Sequence, residues 1–234
     1  MRLQLLHISD THFGYSGTFR NSSVPRATPE ESLERTLASV AGSVDAIVHT
    51  GDIAEVEAVG AAERVRDRLT EYDVPVLAVP GNHDDPAATR QAFGTQPIEI
   101  GGWRIVGVDT VIPGEIHGTA ERVLEQIDAH DERPTVLAIH HPIRSRSTHS
   151  WFQLDDATGL LGALRERPHV RAVLSGHTHQ RYEHAEPWGL RHLGGLSTYY
   201  GMQHDGDEFS YRMSDVGAQL IELDHEKVTA SIRI

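Results

Sequence analysis

His177 and His179 close the stretch LSGHTHQ at 174–180, one residue apart behind a short apolar run. In an extended segment, side chains at i and i+2 share a face, so the pair would aim at one object. Two imidazoles seldom complete a metal site, and a histidine-rich polar loop would read the same way. Similar groupings recur along the chain. Asp10-x-His12 ends LLHISDTH, Gly51-Asp52 ends AIVHTGD, Gly81-Asn82-His83-Asp84 ends VLAVPGNHD, and His140-His141-Pro142 ends VLAIHHP. Each has an ordinary structural reading: Gly-Asp is commonly a turn, Asn-His-Asp a helix cap, and paired histidines can sit in a core. Their joint occurrence, always after an apolar run, is what those readings do not supply. Three of the groups set a glycine just before the polar residues, where the backbone can turn sharply.

The elements that must carry these groups are short β-branched runs alternating with amphipathic ones. Residues 3–8, 46–50, 75–80, 103–109, 135–140 and 170–175 read as strands buried on one or both faces. Helical spacing follows Thr28-Pro29-Glu30-Glu31, which offers an N-cap, a proline at the first helical position and a capping-box glutamate. Helices are also expected over roughly 56–72, 86–93, 119–130 and 154–166. From about 181 the pattern turns mostly β, with strands in RYEHAE, GLRHLGG, GAQLIELD and KVTASIRI. Alternation followed by strands predicts an α/β sandwich, a single domain over 1–234 whose last strands complete a second sheet. The long irregular stretches are 13–28 and 143–153, lengths at which loops usually carry function. In parallel α/β sheets, sites gather at the carboxyl edge, where the polar groups fall.

Composition narrows the chemistry. The 234 residues include no cysteine, so disulfides, thiolate zinc sites and cysteine nucleophiles are excluded. Any metal must be held by His, Asp, Asn or Glu, ligands that suit Mn, Fe, Mg or Zn. A net charge of −13 with scattered Lys and Arg argues against duplex nucleic acid as a partner. The apolar stretch in MRLQLLHISD is too short for a secretory signal, and no segment approaches the roughly 20 apolar residues of a membrane span. No membrane partner and a cytoplasmic location are the expectations.

The series Asp10-x-His12, Gly51-Asp52, Gly81-Asn82-His83-Asp84, His140-x-Pro142 and Gly176-His177-x-His179 resembles the calcineurin-like metallophosphoesterase superfamily, with all five blocks intact over residues 10 to 179. HISDTH, GNHDD and VRAVLSGHTHQ are most similar to its bacterial class III cyclic-nucleotide phosphodiesterase group. The resemblance implies a four-layer α-β-β-α sandwich of two mixed sheets flanked by helices. It implies a dinuclear metal centre in which Asp10, His12 and His179 hold one ion, Asn82, His140 and His177 hold the other, and Asp52 bridges them. His83 would stand beside the substrate as proton donor or phosphate contact, with Asn82 also counted as substrate-binding. Asp84 would orient His83 by a hydrogen bond. HHPI departs from the group, which often has a second proline, so the 143–153 loop can shape the pocket differently.

The expected activity is hydrolysis of a small phosphodiester, with a 3′,5′-cyclic nucleotide such as cyclic AMP leading, by a hydroxide bridging two divalent ions. Mn or Fe is favoured, with Zn, Co or Mg open. Two divalent ions against Asp10 and Asp52 would leave the site at roughly +2, suited to a phosphate ester. The competing readings are another small ester (glycerophosphodiester, nucleotide pyrophosphate or monoester) and a metal-binding scaffold without catalysis. Oligomeric state, including a homodimer, stays open. His7 and His49 lie inside strands and read as packed or hydrogen-bonded, His141 as a neighbour of a ligand, and His204 as a lesser candidate to reach substrate. Trp151 or Phe152 would either stack on a base or anchor the loop, the anchor being favoured.

Overall fold

The computed structural model describes residues 2–15, 27–40, 43–55, 58, 60–127, 132–225 and 227–233. In chain order its elements are β1 (Arg2–Ile8), α1 (Pro29–Ser39), β2 (Ala46–His49), α2 (Ala61–Thr70), β3 (Val76–Ala78), α3 (Pro86–Phe93), β4 (Ile98–Ile100), β5 (Trp103–Gly107), β6 (Gly118–Thr119), α4 (Val123–Gln126) and β7 (Thr135–Ala138). A single 3₁₀ turn (Ser150–Phe152) precedes β8 (Leu154–Asp155), α5 (Ala157–Arg165), β9 (Val170–Ser175), β10 (Tyr182–Ala185), β11 (Arg191–Gly194), β12 (Gly201–Asp205), β13 (Glu208–Arg212), β14 (Ala218–Asp224) and β15 (Lys227–Arg233).

One sheet runs β15-β14-β1-β2-β3, with β1, β2 and β3 parallel. The other runs β10-β11-β9-β7-β5-β4, parallel through β11, β9, β7 and β5, with antiparallel edges. Period-2 alternation explains how they stack. Leu3 and Leu5 of β1 face the second sheet, in a core shared with Val48, Ile105, Val136, Ala138, Ala172 and Leu174. Leu6 and Ile8 face the other way, onto Leu33 and Leu37 of α1 and Val65 and Leu69 of α2. The second sheet's outer face packs Val106, Leu137 and Val173 against Val123 of α4 and Leu160 and Leu164 of α5. The layers are therefore α-β-β-α, as expected. At α1 the reciprocal capping box is present: Glu31 N–H donates to Thr28 Oγ1 (3.1 Å) and Thr28 N–H to Glu31 Oε2 (3.0 Å).

The structure corrects several expectations. The segment from 181 does not complete only the second sheet. β10 and β11 join it, whereas β14 pairs antiparallel with β1 and carries β15 into the first sheet. β14 is apolar on both faces, with Leu220 among the helix-side residues and Ile221 and Leu223 between the sheets, which suits an interior strand. The expected helix over 56–72 begins only at Ala61, after Gly60 at φ +70°, and 56, 57 and 59 lie outside the described residues. The one over 119–130 shortens to α4, with 128–130 outside them. The irregular stretch 13–28 falls there too, except for 13–15, 27 and 28. Strands β3, β5 and β7 stop two residues short of their expected ends, each followed by one more backbone hydrogen bond to the neighbouring strand: Val79 N to His49 O, Val108 N to Ala138 O and Ile139 N to Leu174 O.

Candidate metal centre

The polar residues after β1, β2, β3, β7 and β9 converge at that edge. The sequence suggests extended backbone there, but Asp10, His12, Asp52, His177 and His179 have φ of 52°, 51°, 51°, 68° and 47°. These are left-handed conformations, rare for residues with a side chain, and they cost about 1–3 kcal/mol each. His177 and His179 thus reach neighbouring clusters by a twisted turn, not by i, i+2 alternation. The glycines before the donors serve close approach as much as turning. A Cβ on Gly81 would lie 2.2 Å from Asp52 Oδ1, and one on Gly176 2.1 Å from Ser9 Oγ; of the three, only Gly51, at φ +92°, needs the left-handed region as well.

Four of the buried imidazoles, His12, His140, His177 and His179, have one nitrogen held from outside and the other turned inward. His140 Nδ1 donates to Thr50 O (2.7 Å), His177 Nε2 to Trp151 O (2.8 Å), and His179 Nδ1 to Tyr200 O (2.8 Å). Carbonyl oxygens only accept, so those nitrogens carry the hydrogens and the inner ones carry lone pairs in the neutral ring. His12 Nδ1 likewise donates to Glu55 Oε1 (3.0 Å). The inner atoms then confront one another: His12 Nε2 and His179 Nε2 at 3.2 Å, His140 Nε2 and His177 Nδ1 at 3.2 Å, and His140 Nε2 and Asn82 Oδ1 at 3.2 Å. Acceptors facing acceptors need positive charge between them. Spacings near 3.2 Å are also what donors about 2.1 Å from one ion keep.

Two groupings result. Asp10, His12, Asp52 and His179 form one, with Asp10 Oδ1 3.1 Å from His179 Nε2. His140 and His177 form the other, with Asn82 alongside. Asp52 reaches both: Oδ2 lies 3.8 Å from His12 Nε2, and Oδ1 lies 3.4 Å from His140 Nε2. His141 sits within the second grouping, but neither of its nitrogens is free. Its Nε2 donates to Ile116 O (3.0 Å) and its Nδ1 accepts from Thr110 Oγ1 (2.8 Å).

Electrostatics point the same way. Burial would raise Asp52, yet His140 and His83 hold its carboxyl well below the ordinary range. Burial likewise opposes charge on Asp10, but His179 keeps it low. Burial and the nearby His140 push His177 down to about 3. On His140 burial is overridden by Asp52, and the ring retains a proton up to about 9. A proton can join one confronting pair, whereas divalent cations would satisfy both carboxylates and every inward nitrogen. The donor set fits a pair of such ions.

His83 is partly exposed beside the cluster. Burial opposes its charge, but Asp52 and Glu55 raise it to about 9. Its Nδ1 donates to Glu55 Oε2 (3.0 Å), so Glu55 spans two rings, His12 through Oε1 and His83 through Oε2. The expectation that Asp84 orients His83 is thereby corrected. Asp84 accepts the backbone N–H groups of Ile53 (3.1 Å), Ala54 (2.8 Å) and Gly81 (2.8 Å), which clamps the loop after Asp52 to the one before Asn82. Glu55 is a residue of the cluster that sequence reasoning misses; its one signal there is a carboxylate three residues beyond Asp52.

The other histidines singled out in the sequence are structural. His7 Nε2 donates to Thr50 Oγ1 (2.9 Å), and His49 Nε2 to Thr11 Oγ1 (3.1 Å). His204 Nε2 donates to Thr178 O (2.9 Å), which pins the β12–β13 hairpin to the turn between His177 and His179. Phe152 is buried in an aromatic cluster with Tyr199, Tyr200 and Met202, whereas Trp151 is exposed. No helix among the described residues is long and apolar enough to cross a membrane.

The calcineurin-like phosphoesterase family model matches residues 3–181. The chain is 32% identical over 195 residues to a cAMP/cGMP dual specificity phosphodiesterase of Mycobacterium tuberculosis, covering 75% of this chain and 61% of that one. It is 29% identical over 201 residues to the 3′,5′-cyclic adenosine monophosphate phosphodiesterase CpdA of Escherichia coli K12, covering 78% and 71%. Among solved structures it shares its fold with a dimetal phosphatase from Danio rerio, at a TM-score of 0.69 and 14% identity, over 99% of this chain and 96% of that one.

Proposed function

The chain belongs to the calcineurin-like phosphoesterase family, and we propose that it cleaves a 3′,5′-cyclic nucleotide at a centre of two divalent ions. In this reading Asp10, His12 and His179 would hold one ion, Asn82, His140 and His177 would hold the other, and the Asp52 carboxylate would serve both. Manganese or iron suits the oxygen and imidazole donors. Divalent ions held there supply charge to a phosphate ester and acidify water enough to furnish a nucleophile near neutral pH. The observation that carries the reading is the set of inward lone pairs, each fixed by an outward hydrogen bond to a carbonyl or to Glu55.

The protein's own groups then divide the work. The carbonyls of Thr50, Trp151 and Tyr200 lock the imidazole tautomers. Asp84 holds two donor-bearing loops together. His83, tied to Glu55 through Nδ1, turns its other nitrogen to the ester and gives a proton to the departing alkoxide. The similarity to cyclic-nucleotide phosphodiesterases supports the substrate. Steady-state kinetics of manganese-reconstituted protein on cyclic AMP, AMP and a glycerophosphodiester tests it. Cyclic AMP should show the highest kcat/KM; faster AMP hydrolysis would make the protein a phosphomonoesterase.

A further inference from the structure

Among the described residues the large hydrophobic side chains left exposed are Ile116, at 37%, and Trp151, at 46%. Single exposed apolar residues are ordinary, but these two share a setting. Trp151 O accepts from His177 Nε2 (2.8 Å), and Ile116 O accepts from His141 Nε2 (3.0 Å), the two rings lying 4.6 Å apart. Beyond them the two loops run parallel. β6 pairs with β8, Gly118 opposite Leu154, and Gly118 N donates to Gln153 O (3.1 Å). His117 also crosses to Asp155 (3.4 Å). Ile116 stands two residues before its paired position and Trp151 three before its own, so both lie off the same end of the ladder.

The Trp151 loop is braced as well as tethered. Gln153 Nε2 donates to Ser147 O (2.7 Å) and His149 O (3.2 Å). Phe152 turns inward against His177 and His204, ring centroids 5.3 and 4.5 Å away. The indole stays outside, flanked by His149 at 5.0 Å and Phe209 at 6.0 Å. A braced, exposed indole and an exposed aliphatic side chain, carried by loops tied to His177 and to its neighbour His141, suit a flat aromatic ring joined to a phosphate.

We infer that Trp151 and Ile116 form an apolar platform at the rim of the centre that takes the base of a nucleotide. This rests on the cyclic-nucleotide reading above. In a cyclic nucleotide the base is the part with a stackable face, and it stands off from the phosphate by the sugar. Replacing a base-stacking aromatic residue by alanine weakens binding about 5- to 150-fold.

Calorimetry of manganese-loaded protein with AMP and with ribose 5-phosphate tests the platform, because the two ligands differ only in the base. Wild type should bind AMP more tightly. Trp151→Ala should lose about 5- to 150-fold for AMP and leave ribose 5-phosphate unchanged. Trp151→Phe should keep most of the preference, and Ile116→Ala should lose a smaller part. In kinetics on cyclic AMP, Trp151→Ala should raise KM by a larger factor than it lowers kcat. Equal binding of the two ligands by wild type would overturn the platform, as would equal weakening of both in Trp151→Ala, which would put the effect on His177. Wild-type hydrolysis of cyclic AMP alongside either result would remove the platform and leave the substrate reading standing. Failure to hydrolyse cyclic AMP, with turnover of a glycerophosphodiester, would remove the substrate reading and the platform with it.

Discussion

Glu55 joins a metal-ligand candidate to the proposed proton donor, since one carboxylate accepts from both His12 and His83. Burial opposes its charge, but those two bonds lower it to about 2, so it stays ionised across the physiological range. Glu55→Ala should therefore weaken the affinity of the first ion about 10- to 100-fold, and Glu55→Gln less, as titration of metal-free protein with manganese would show. His83→Ala should keep both ions and lose about 10²- to 10⁴-fold on cyclic AMP. Its loss should be smaller on a nitrophenyl diester, whose leaving group needs no proton; equal losses would assign His83 to phosphate binding. The donors are legible in the sequence because each follows directly on an apolar run. Glu55 is not, since three residues past an aspartate is no rule. The role of Asp84 is hidden because it depends on N–H groups from residues 53, 54 and 81, two loops that only the fold brings together.

The strand ends show which features of an element a sequence hides. Apolar alternation locates β1, β2, β7 and β9, and the capping box locates α1. The left-handed turns at Asp10, His12, Asp52, His177 and His179 leave no such signal, because nothing in those residue types favours positive φ strongly enough to announce it. The β12–β13 hairpin escapes for a related reason: its strands are largely exposed and mixed in polarity, so period-2 contrast is weak. Glycine substitutions separate crowding from helix propensity. A Cβ at Gly176 would meet Ser9 Oγ at 2.1 Å and Asp10 Oδ2 at 2.8 Å. Gly176→Ala should cost about 1–3 kcal/mol of stability and lower the manganese stoichiometry below that of wild type. Gly162, within α5, has nothing within 4 Å of the place an alanine methyl would take. Gly162→Ala should stabilise the fold by about 0.5–1 kcal/mol, raising the melting temperature without touching metal content. A Gly176→Ala protein with full metal occupancy would mean the turn tolerates displacement.

Across the whole molecule, the two-sheet architecture is legible from the order of strands and helices, but the destination of the last strands is not. Both sheets present an apolar strand beside which a further strand could pair, and only the pairing of β14 with β1 decides between them. The same packing buries histidines far from the centre. His192, on β11, is 1% exposed. Burial lowers it to about 4 even though Glu186, 3.3 Å away, favours its charge; His184 and Arg144 on the same carboxylate oppose it. Its folded value lies below the ordinary 6.5, so between those pH values the unfolded chain takes up a proton that the folded chain refuses. The stabilisation is complete above about pH 6.5 and declines as pH falls toward about 4. At about 1.4 kcal/mol per pH unit, His192 contributes at most about 3.5 kcal/mol to that decline. His192→Gln removes this proton uptake and leaves the metal donors in place. Urea unfolding at about pH 7, above this window, and at about pH 4.5, near its lower end, should show a smaller loss of stability for the variant than for wild type. Parallel losses in the two proteins would mean that His192 accepts its proton without unfolding.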